Sequence, residues 1–131
     1  MNHDHDTDHD TDSIQDAELA ILQVLWEAAE PLPLSRILEI LRARRGWADS
    51  TVKTLLRRLQ QKGAVTLPRR GVYAAAIRRE HYQVAANRSF LEKLYQGSAK
   101  SLVASLVHEG RLTAEDIQEL TALFRKEDPD A

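Results

Sequence analysis

Residues 47–63 read WADSTVKTLLRRLQQKG, and this stretch decides the fold. Its apolar residues recur at the three- and four-residue steps of a helix: Val52, Leu55, Leu56 and Leu59. Asp49 and Ser50 are candidates for the N-terminal cap, and Gly63 is placed to end the helix. The stretch therefore predicts a short helix, helix 3, with one apolar face.

The opposite face of helix 3 is polar and basic. By the rotation of roughly 100° per residue in a helix, it presents Ser50, Thr51, Lys53, Thr54, Arg57 and Arg58. Small hydroxyl side chains near the helix start allow close entry into the major groove of DNA, and Lys and Arg reach phosphates or guanine edges. These residues are the candidate DNA contacts, and an ordinary solvated helix face is the alternative.

Two more helices are predicted before helix 3. Helix 1 has apolar residues at helical spacing over residues 19–29, with Ser13 or Asp16 as its cap and Pro31 as its stop. Helix 2 fills the segment from Pro33 to Gly46, and it carries arginines in its last turn, where cations complement the helix dipole.

A β-hairpin is predicted after helix 3. Its strands are residues 64–67 and 72–77, and the turn between them is Pro68-Arg69-Arg70-Gly71. Arg69 and Arg70 at the tip are expected to lie over flanking DNA backbone or minor groove, although an exposed turn also needs polar residues for solubility. Three helices followed by a hairpin give the element order of a winged helix-turn-helix.

The charge distribution along the chain is strongly uneven. The 131 residues have a formal net charge of −2, but residues 1–35 contain nine acidic residues and no Lys or Arg. Residues 36–79 contain twelve basic residues and two acidic ones, and residues 80–131 are mildly acidic again. A basic block this concentrated makes a polyanion the first candidate partner.

Composition and motifs narrow the functional class. With 43% hydrophobic residues the chain is expected to fold, and it has no apolar run of the roughly 20 residues that span a bilayer. The start of the chain does not read as a signal peptide, so we expect a cytoplasmic protein without a membrane partner. Cysteine is absent, which excludes disulfides and thiolate metal sites. No nucleophile elbow, phosphate-binding glycine loop or zinc-protease motif occurs, so we expect no enzyme.

Three C-terminal helices are predicted over residues 79–127. Helix 4 runs from Arg79 to Gln96, helix 5 ends at Gly110, and helix 6 begins near the capping-box sequence at Thr113. Their apolar residues exceed what a small N-terminal domain at residues 13–78 covers, which indicates dimerisation, with an intramolecular three-helix cap as the alternative. The candidate dimerisation residues are Phe90, Leu94, Leu102, Leu106, Ile117, Leu120 and Phe124.

Residues 1–12 alternate His, Asp and Thr and are expected to form a disordered tail. His3 stands third in the chain, where the amine, two backbone amides and an imidazole form a square-planar site suited to copper(II) or nickel(II). His5 and His9 add candidate ligands, and incidental histidines in an acidic tail are the alternative. An acidic tail is also able to lie against the basic face of helix 3 and compete with DNA.

The run from Trp47 to Gly63 strongly resembles the recognition segment of the BlaI/MecI/CopY penicillinase-repressor family. Weaker similarities at residues 18–26, 71–73, 80–82 and 112–117 occur in the family's order and extend the resemblance over nearly the whole folded part. The resemblance implies a homodimeric winged-helix repressor that binds a pseudo-palindromic operator through helix 3 and dimerises through its C-terminal helices.

The sequence also departs from the family pattern. Copper-responsive members carry cysteine pairs near the C-terminus, and this chain has no cysteine. Members induced by β-lactams are cut by a sensor protease at an Asn-Phe pair, and the matching positions here are Ser105 and Leu106. The wing turn is also shorter than usual. Two other functions remain open: a winged-helix module that binds an acidic protein, and a metal-responsive regulator that uses the N-terminal tail.

Overall fold

The computed structural model describes residues 14–128, which form six helices and three short strands. Their bounds in chain order are α1 (Asp16–Glu27), β1 (Leu32–Pro33), α2 (Leu34–Arg45), α3 (Asp49–Gln61), β2 (Val65–Arg69), β3 (Val72–Ala75), α4 (Arg79–Tyr95), α5 (Ala99–His108) and α6 (Ala114–Glu127). The predicted fold class, mainly α with a small hairpin in a winged helix-turn-helix order, is confirmed. No helix in the described part of the chain is long and apolar enough to cross a membrane.

The hairpin belongs to a three-stranded antiparallel sheet of order β1-β3-β2. Leu32 pairs with Tyr73 and Pro33 with Val72. Strand β1 is not predicted from the sequence, because two residues carry no periodicity and a neighbouring proline suggests a loop. Pro68 is tolerated in β2 because this strand lies at the sheet edge and its register is irregular between Thr66 and Arg69.

The turn of the hairpin is tighter than predicted. Strand β2 continues through Pro68 and Arg69, so the chain reverses at Arg70 and Gly71. Gly71 has a φ of 73°, a left-handed conformation that glycine adopts without steric cost. Its carbonyl accepts a hydrogen bond of 2.9 Å from the backbone N–H of Leu34. This bond ties the wing to the N-terminus of α2, where backbone donors lack partners within the helix.

The predicted caps of α1 and α3 are wrong. Helix α1 begins after Gln15, and Asp16 is already helical; Ser13 lies outside the described residues. Helix α3 is capped at Ala48, so that Asp49 and Ser50 form its first turn. The carboxylate of Asp49 instead binds Arg42 at 2.6 Å, and an acid in the first turn still complements the helix dipole. The capping box of α6, with Thr113 as cap, is confirmed.

The hydrophobic core lies among α1, α2, α3 and the start of β2. Its largest fully buried apolar side chains are Ile21, Leu22, Ile37, Leu41, Val52, Leu56, Leu59 and Val65. Full burial of each such side chain contributes about 1.5–3 kcal/mol of transfer free energy. The apolar stripe read from helix 3 is thus the side of α3 that closes the core.

The chain divides into two compact units, one of residues up to Ser89 and one of residues from Phe90. The division falls inside α4, whereas the boundary predicted from the sequence lies between residues 78 and 79, where α4 begins. The start of α4 belongs to the first unit: the indole N–H of Trp26 donates to the carbonyl of Ile77 at 2.8 Å, and the ring of Tyr82 packs at 5.7 Å from that of Trp26.

Candidate nucleic-acid interface

Helix α3 separates its residues into two faces as its sequence predicts. Val52, Leu55, Leu56 and Leu59 are buried. On the opposite face Ser50, Thr51, Lys53, Arg57 and Arg58 are exposed, and Thr54 is half-buried. All six candidate DNA contacts on this helix therefore lie together on one accessible face. Their contact with DNA remains a prediction.

The connection between α2 and α3 is short and well bonded. Gly46 has a φ of 67°, and its N–H donates to the carbonyl of Arg42 at 3.0 Å, which ends α2. Arg42 then binds Asp49 in the first turn of α3, and the guanidinium of Arg45 stacks over the ring of Trp47 at 5.5 Å. These contacts hold the start of α3 beside the end of α2, as the helix-turn-helix arrangement requires.

The basic residues of the block at 36–79 differ in whether a carboxylate pairs with them. Four of them pair with carboxylates: Arg36 with Glu39, Arg42 with Asp49, Arg44 with Glu27 and Lys62 with Glu18. By contrast, no acidic side chain within residues 14–128 lies in ion-pair distance of Lys53, Arg57 or Arg58. We call these three residues the α3 basic face. Their charges are not neutralised by the described part of the fold and are available to a polyanion.

A shallow concavity adjoins this face. It is lined by Ser50, Thr51, Thr54, Leu55 and Arg58. The hydroxyls supply short hydrogen-bond groups and Arg58 supplies a long bidentate donor, the combination that contacts phosphate oxygens and base edges. These polar residues can be identified singly from the sequence, whereas the concavity that they share depends on their spacing around one turn of the folded helix.

Arg69 and Arg70 lie where the wing ends. Arg69 is the last residue of β2 and Arg70 is in the turn, and both are exposed. Neither pairs with an acidic side chain in the described range 14–128. The N–H of Ala64 donates to the carbonyl of Leu59 at 2.9 Å, so the hairpin starts directly against the C-terminal end of α3. The helix and the wing therefore belong to one continuous substructure.

One buried contact near α3 was not expected from the sequence. Glu18 is fully buried, and its Oε1 accepts a bond of 2.6 Å from Lys62 Nζ, just after α3. The same oxygen accepts a bond of 2.8 Å from the backbone N–H of Gln15. Glu18 Oε2 is buried without a hydrogen-bond partner among the described residues. The pair joins the start of α1 to the end of α3 and so fixes the helix that carries the basic face.

The candidate dimerisation residues lie on partly exposed surfaces of the second unit. Phe90, Leu94, Ile117, Leu120 and Phe124 are all exposed, and Leu102 and Leu106 are half-buried. The sequence-based set omitted Val103, Val107 and Leu123, which are also exposed. The spacing of Val103 and Val107 by one helical turn was the signal available for finding them.

The predicted metal site cannot be placed. His3, His5 and His9 lie outside the described residues, so copper(II) or nickel(II) binding at the tail stays a prediction. Within residues 14–128 no group of three or more His, Asp or Glu side chains is arranged to hold a metal ion.

Comparison with known proteins supplies the family. The model of the penicillinase repressor family matches residues 14–126. The penicillinase repressor of Bacillus licheniformis is 31% identical over 116 residues, covering 86% of this chain and 90% of that protein. The methicillin resistance regulatory protein MecI of Mammaliicoccus sciuri is 25% identical over 122 residues, and the match covers 91% of this chain and 98% of that protein.

A solved structure is also similar. The solution structure of the DNA binding domain of the repressor BlaI is 30% identical, with a TM-score of 0.49, and the match covers 53% of this chain and 88% of that one. The family match spans both units described above, from Ile14 in the core to Lys126 in α6. The chain belongs to the penicillinase repressor family, a family of transcriptional repressors and not of enzymes.

Proposed function

We propose that the chain is a homodimeric transcriptional repressor whose α3 enters the major groove of an operator with two half-sites. The observation that carries this proposal is the exposed and unpaired state of Lys53, Arg57 and Arg58 beside the hydroxyls of Ser50 and Thr51. A helix rigidly packed on one side and cationic on the other binds the phosphates and reads base edges without rearranging its own core.

The wing supplies secondary contacts. Arg69 and Arg70 carry unpaired charge at its tip, and the bond between Gly71 and Leu34 fixes the wing to α2. Contacts from a wing to flanking phosphates add affinity that does not depend on the base sequence.

The second unit joins two copies. Its exposed large apolar side chains are Phe90, Leu94, Val103, Val107, Ile117, Leu120, Leu123 and Phe124. Helices α5 and α6 contain no buried residue in the isolated chain, which favours association over an intramolecular cap, since a cap would bury its own apolar face. A two-fold pair of such units holds two copies of α3 for half-sites about 34–36 Å apart.

A repressor of this kind acts on DNA and is therefore expected in the cytoplasm.

Induction by a sensor protease stays a prediction from the resemblance. The matching pair, Ser105 and Leu106, lies inside α5, where Ser105 Oγ donates to Glu109 at 3.1 Å. A protease that binds extended backbone would first have to unfold this helix locally.

The test compares two arginines of the same block. The probe is a duplex with inverted repeats selected by the wild-type protein from a random pool, and binding is followed by fluorescence anisotropy at several salt concentrations. Arg58→Ala is expected to weaken binding by about 1–3 kcal/mol if Arg58 reads a base. If it binds a phosphate, the log-log salt slope falls by about 0.9 in magnitude.

Arg44→Ala is the matched control, because Arg44 is exposed but paired with Glu27 at 2.7 Å. It is expected to change neither the affinity nor the slope. An Arg58→Ala protein that binds like the wild type would place the DNA face elsewhere. A wild-type protein that selects no duplex would favour the acidic-protein module instead.

A further inference from the structure

We propose that the acidic N-terminal segment, residues 1–12, binds the α3 basic face when DNA is absent and competes with DNA for it. The inference rests on the proposed function, since it assigns a second occupant to the same surface. Four observations carry it: the place where the chain enters the fold, the length of the segment, its charge pattern, and the unpaired state of the three cations.

The chain enters the fold beside the C-terminal end of α3. Ile14 is buried in the core, and the N–H of Gln15 donates to Glu18 Oε1. The ammonium group of Lys62, immediately after α3, binds that same oxygen at 2.6 Å. Ile14 and Gln15, the first described residues, therefore lie within a few side-chain lengths of the C-terminal end of α3.

The segment is long enough to cover the whole helix. Its twelve residues reach up to about 40 Å when extended, at about 3.3 Å per residue. Helix α3, with 13 residues, is about 20 Å long at 1.5 Å per residue. The span from Lys62 back to Lys53 is thus well within reach, and no change in the described fold is needed.

The charge pattern of the segment complements the helix. Its acids occupy alternate positions, Asp4, Asp6, Asp8, Asp10 and Asp12, and residues 1–35 contain no Lys or Arg. In an extended chain alternate residues share one side and repeat about every 6.6 Å. Lys53 and Arg57, one turn apart, are separated by about 6 Å along the helix axis. Successive carboxylates therefore match the spacing of successive cations.

The cations of the α3 basic face are the available targets. Arg36, Arg42, Arg44 and Lys62 already bind carboxylates of the described fold. Lys53, Arg57 and Arg58 pair with no acid within residues 14–128. A tethered segment reaches them at an effective concentration in the millimolar range, so even a weak contact is substantially populated.

Competition of this kind has a defined thermodynamic form. DNA must displace the segment, so every duplex that uses the α3 basic face loses affinity by the same factor. The salt slope of the full chain is also shallower, because rising salt weakens the inhibitory contact together with the DNA contact. The ratio of operator to random-duplex affinity is unchanged.

The experiment compares the full chain with a form that lacks residues 1–12. Deletion is expected to tighten binding of both duplexes about fivefold at low salt, the factor that follows when the effective concentration of the segment is about four times its dissociation constant. The gain disappears at about 1 M salt, where the Debye length is about 3 Å. The log-log slope steepens by up to about 0.9 for each phosphate contact that the segment had blocked.

Two sets of substitutions separate this contact from a general effect of net charge. Asp4→Asn, Asp6→Asn and Asp8→Asn together are expected to recover much of the gain. Glu127→Gln, Asp128→Asn and Asp130→Asn together change the net charge equally at the other end of the chain and are expected to recover none. With Arg57→Gln and Arg58→Gln already present, the deletion is expected to gain less than twofold.

A readout without DNA makes the inference independent of the proposed function. Deletion of residues 1–12 is expected to shift the backbone amide resonances of residues 50–58 and to leave those of α6 unchanged. Identical α3 resonances together with coincident DNA titrations would overturn the inference while the repressor function stands. If neither form binds duplex in a salt-dependent way, the proposed function fails, and the resonances alone decide whether the segment contacts α3.

Discussion

The two units of the chain differ in how far they bury the same kinds of apolar side chain. In the first unit, residues such as Leu22, Leu41 and Leu56 are at most 1% exposed. In the second, Leu94, Leu123 and Phe124 are more than half exposed, and α5 and α6 bury none of their residues. An amphipathic pattern therefore shows that a helix has an apolar face, but the tertiary structure shows whether the chain itself covers that face.

The units also differ in charge. The basic block belongs to the first unit, and α3 and the wing tip carry five of its cations that pair with no carboxylate among the described residues, while residues 80–131 are net acidic. The unit with the complete core thus carries the surface for a polyanion, and the unit with uncovered apolar faces carries none of that block. The surface proposed to bind DNA and the surface proposed to form the dimer therefore lie in different units of the chain.

The strongest test of this contrast is to end the chain after Ser89. The remaining protein is expected to stay folded and to sediment as a monomer, because the core and the packing of Tyr82 on Trp26 are retained. Loss of the second half-site contact is expected to weaken operator binding by about 10²–10⁴-fold. Circular dichroism, sedimentation and anisotropy measure the three properties. A truncated protein that sediments as a dimer would contradict the role assigned to the second unit.

Core truncations sharpen the comparison. Leu56→Ala in the first unit is expected to lower the free energy of unfolding by about 2–5 kcal/mol, since it empties a fully packed position. Leu123→Ala in the second unit is expected to change the monomer by less than about 1 kcal/mol and to raise the dimer dissociation constant instead. Urea titrations at several protein concentrations distinguish the two effects. Equal, concentration-independent losses would mean that Leu123 is covered within the chain.

Ion pairs of the first unit offer a graded test. Lys62→Ala leaves the fully buried carboxylate of Glu18 without its cation and is expected to cost about 2–3 kcal/mol, below the range for fully buried pairs because Lys62 is partly exposed. Arg36→Ala breaks an exposed pair with Glu39 and is expected to cost less than about 1 kcal/mol. Urea unfolding of the two variants measures both free-energy changes. Similar losses would show that the Glu18 pair does not anchor α3.

The wing provides a smaller effect on DNA binding. Arg70→Ala is expected to reduce affinity by about threefold and to lower the salt slope by at most about 0.9, as one phosphate contact would. Its effect is expected to be equal on operator and random duplexes, whereas Arg58→Ala discriminates between them if Arg58 reads a base. Anisotropy with both duplexes measures this. A loss confined to the operator would assign base readout to the wing.

The smallest expected effect concerns metal at the tail. Copper(II) at His3 displaces protons from the amine and the two backbone amides, so it adds no net positive charge to the acidic segment, and its effect on DNA binding is expected to be smaller than that of deleting residues 1–12. His3→Ala is expected to abolish the visible absorption band of the square-planar complex and any copper effect on DNA. A wild-type protein whose DNA titrations are the same with and without copper(II) would make the histidines incidental.

Local order along the chain was readable from the sequence. The six helices, the hairpin and the two faces of α3 follow from helical periodicity and from the glycines that end the helices, because these signals act within a few residues. The alternation of Val52, Leu56 and Leu59 with Lys53 and Arg57 alone determined which face of α3 is cationic.

Contacts between distant residues required the tertiary structure. Strand β1 forms only because it can hydrogen-bond to β3. Asp49 pairs with Arg42 and is not the cap of α3. Glu18 and Lys62 are 44 residues apart, so no local sequence pattern predicts their hydrogen bond. The positions of the carboxylates in the folded chain determine which cations remain available to DNA. The burial, ion pairing and desolvation of a charged side chain depend on neighbours that are distant in the sequence and that only folding brings together.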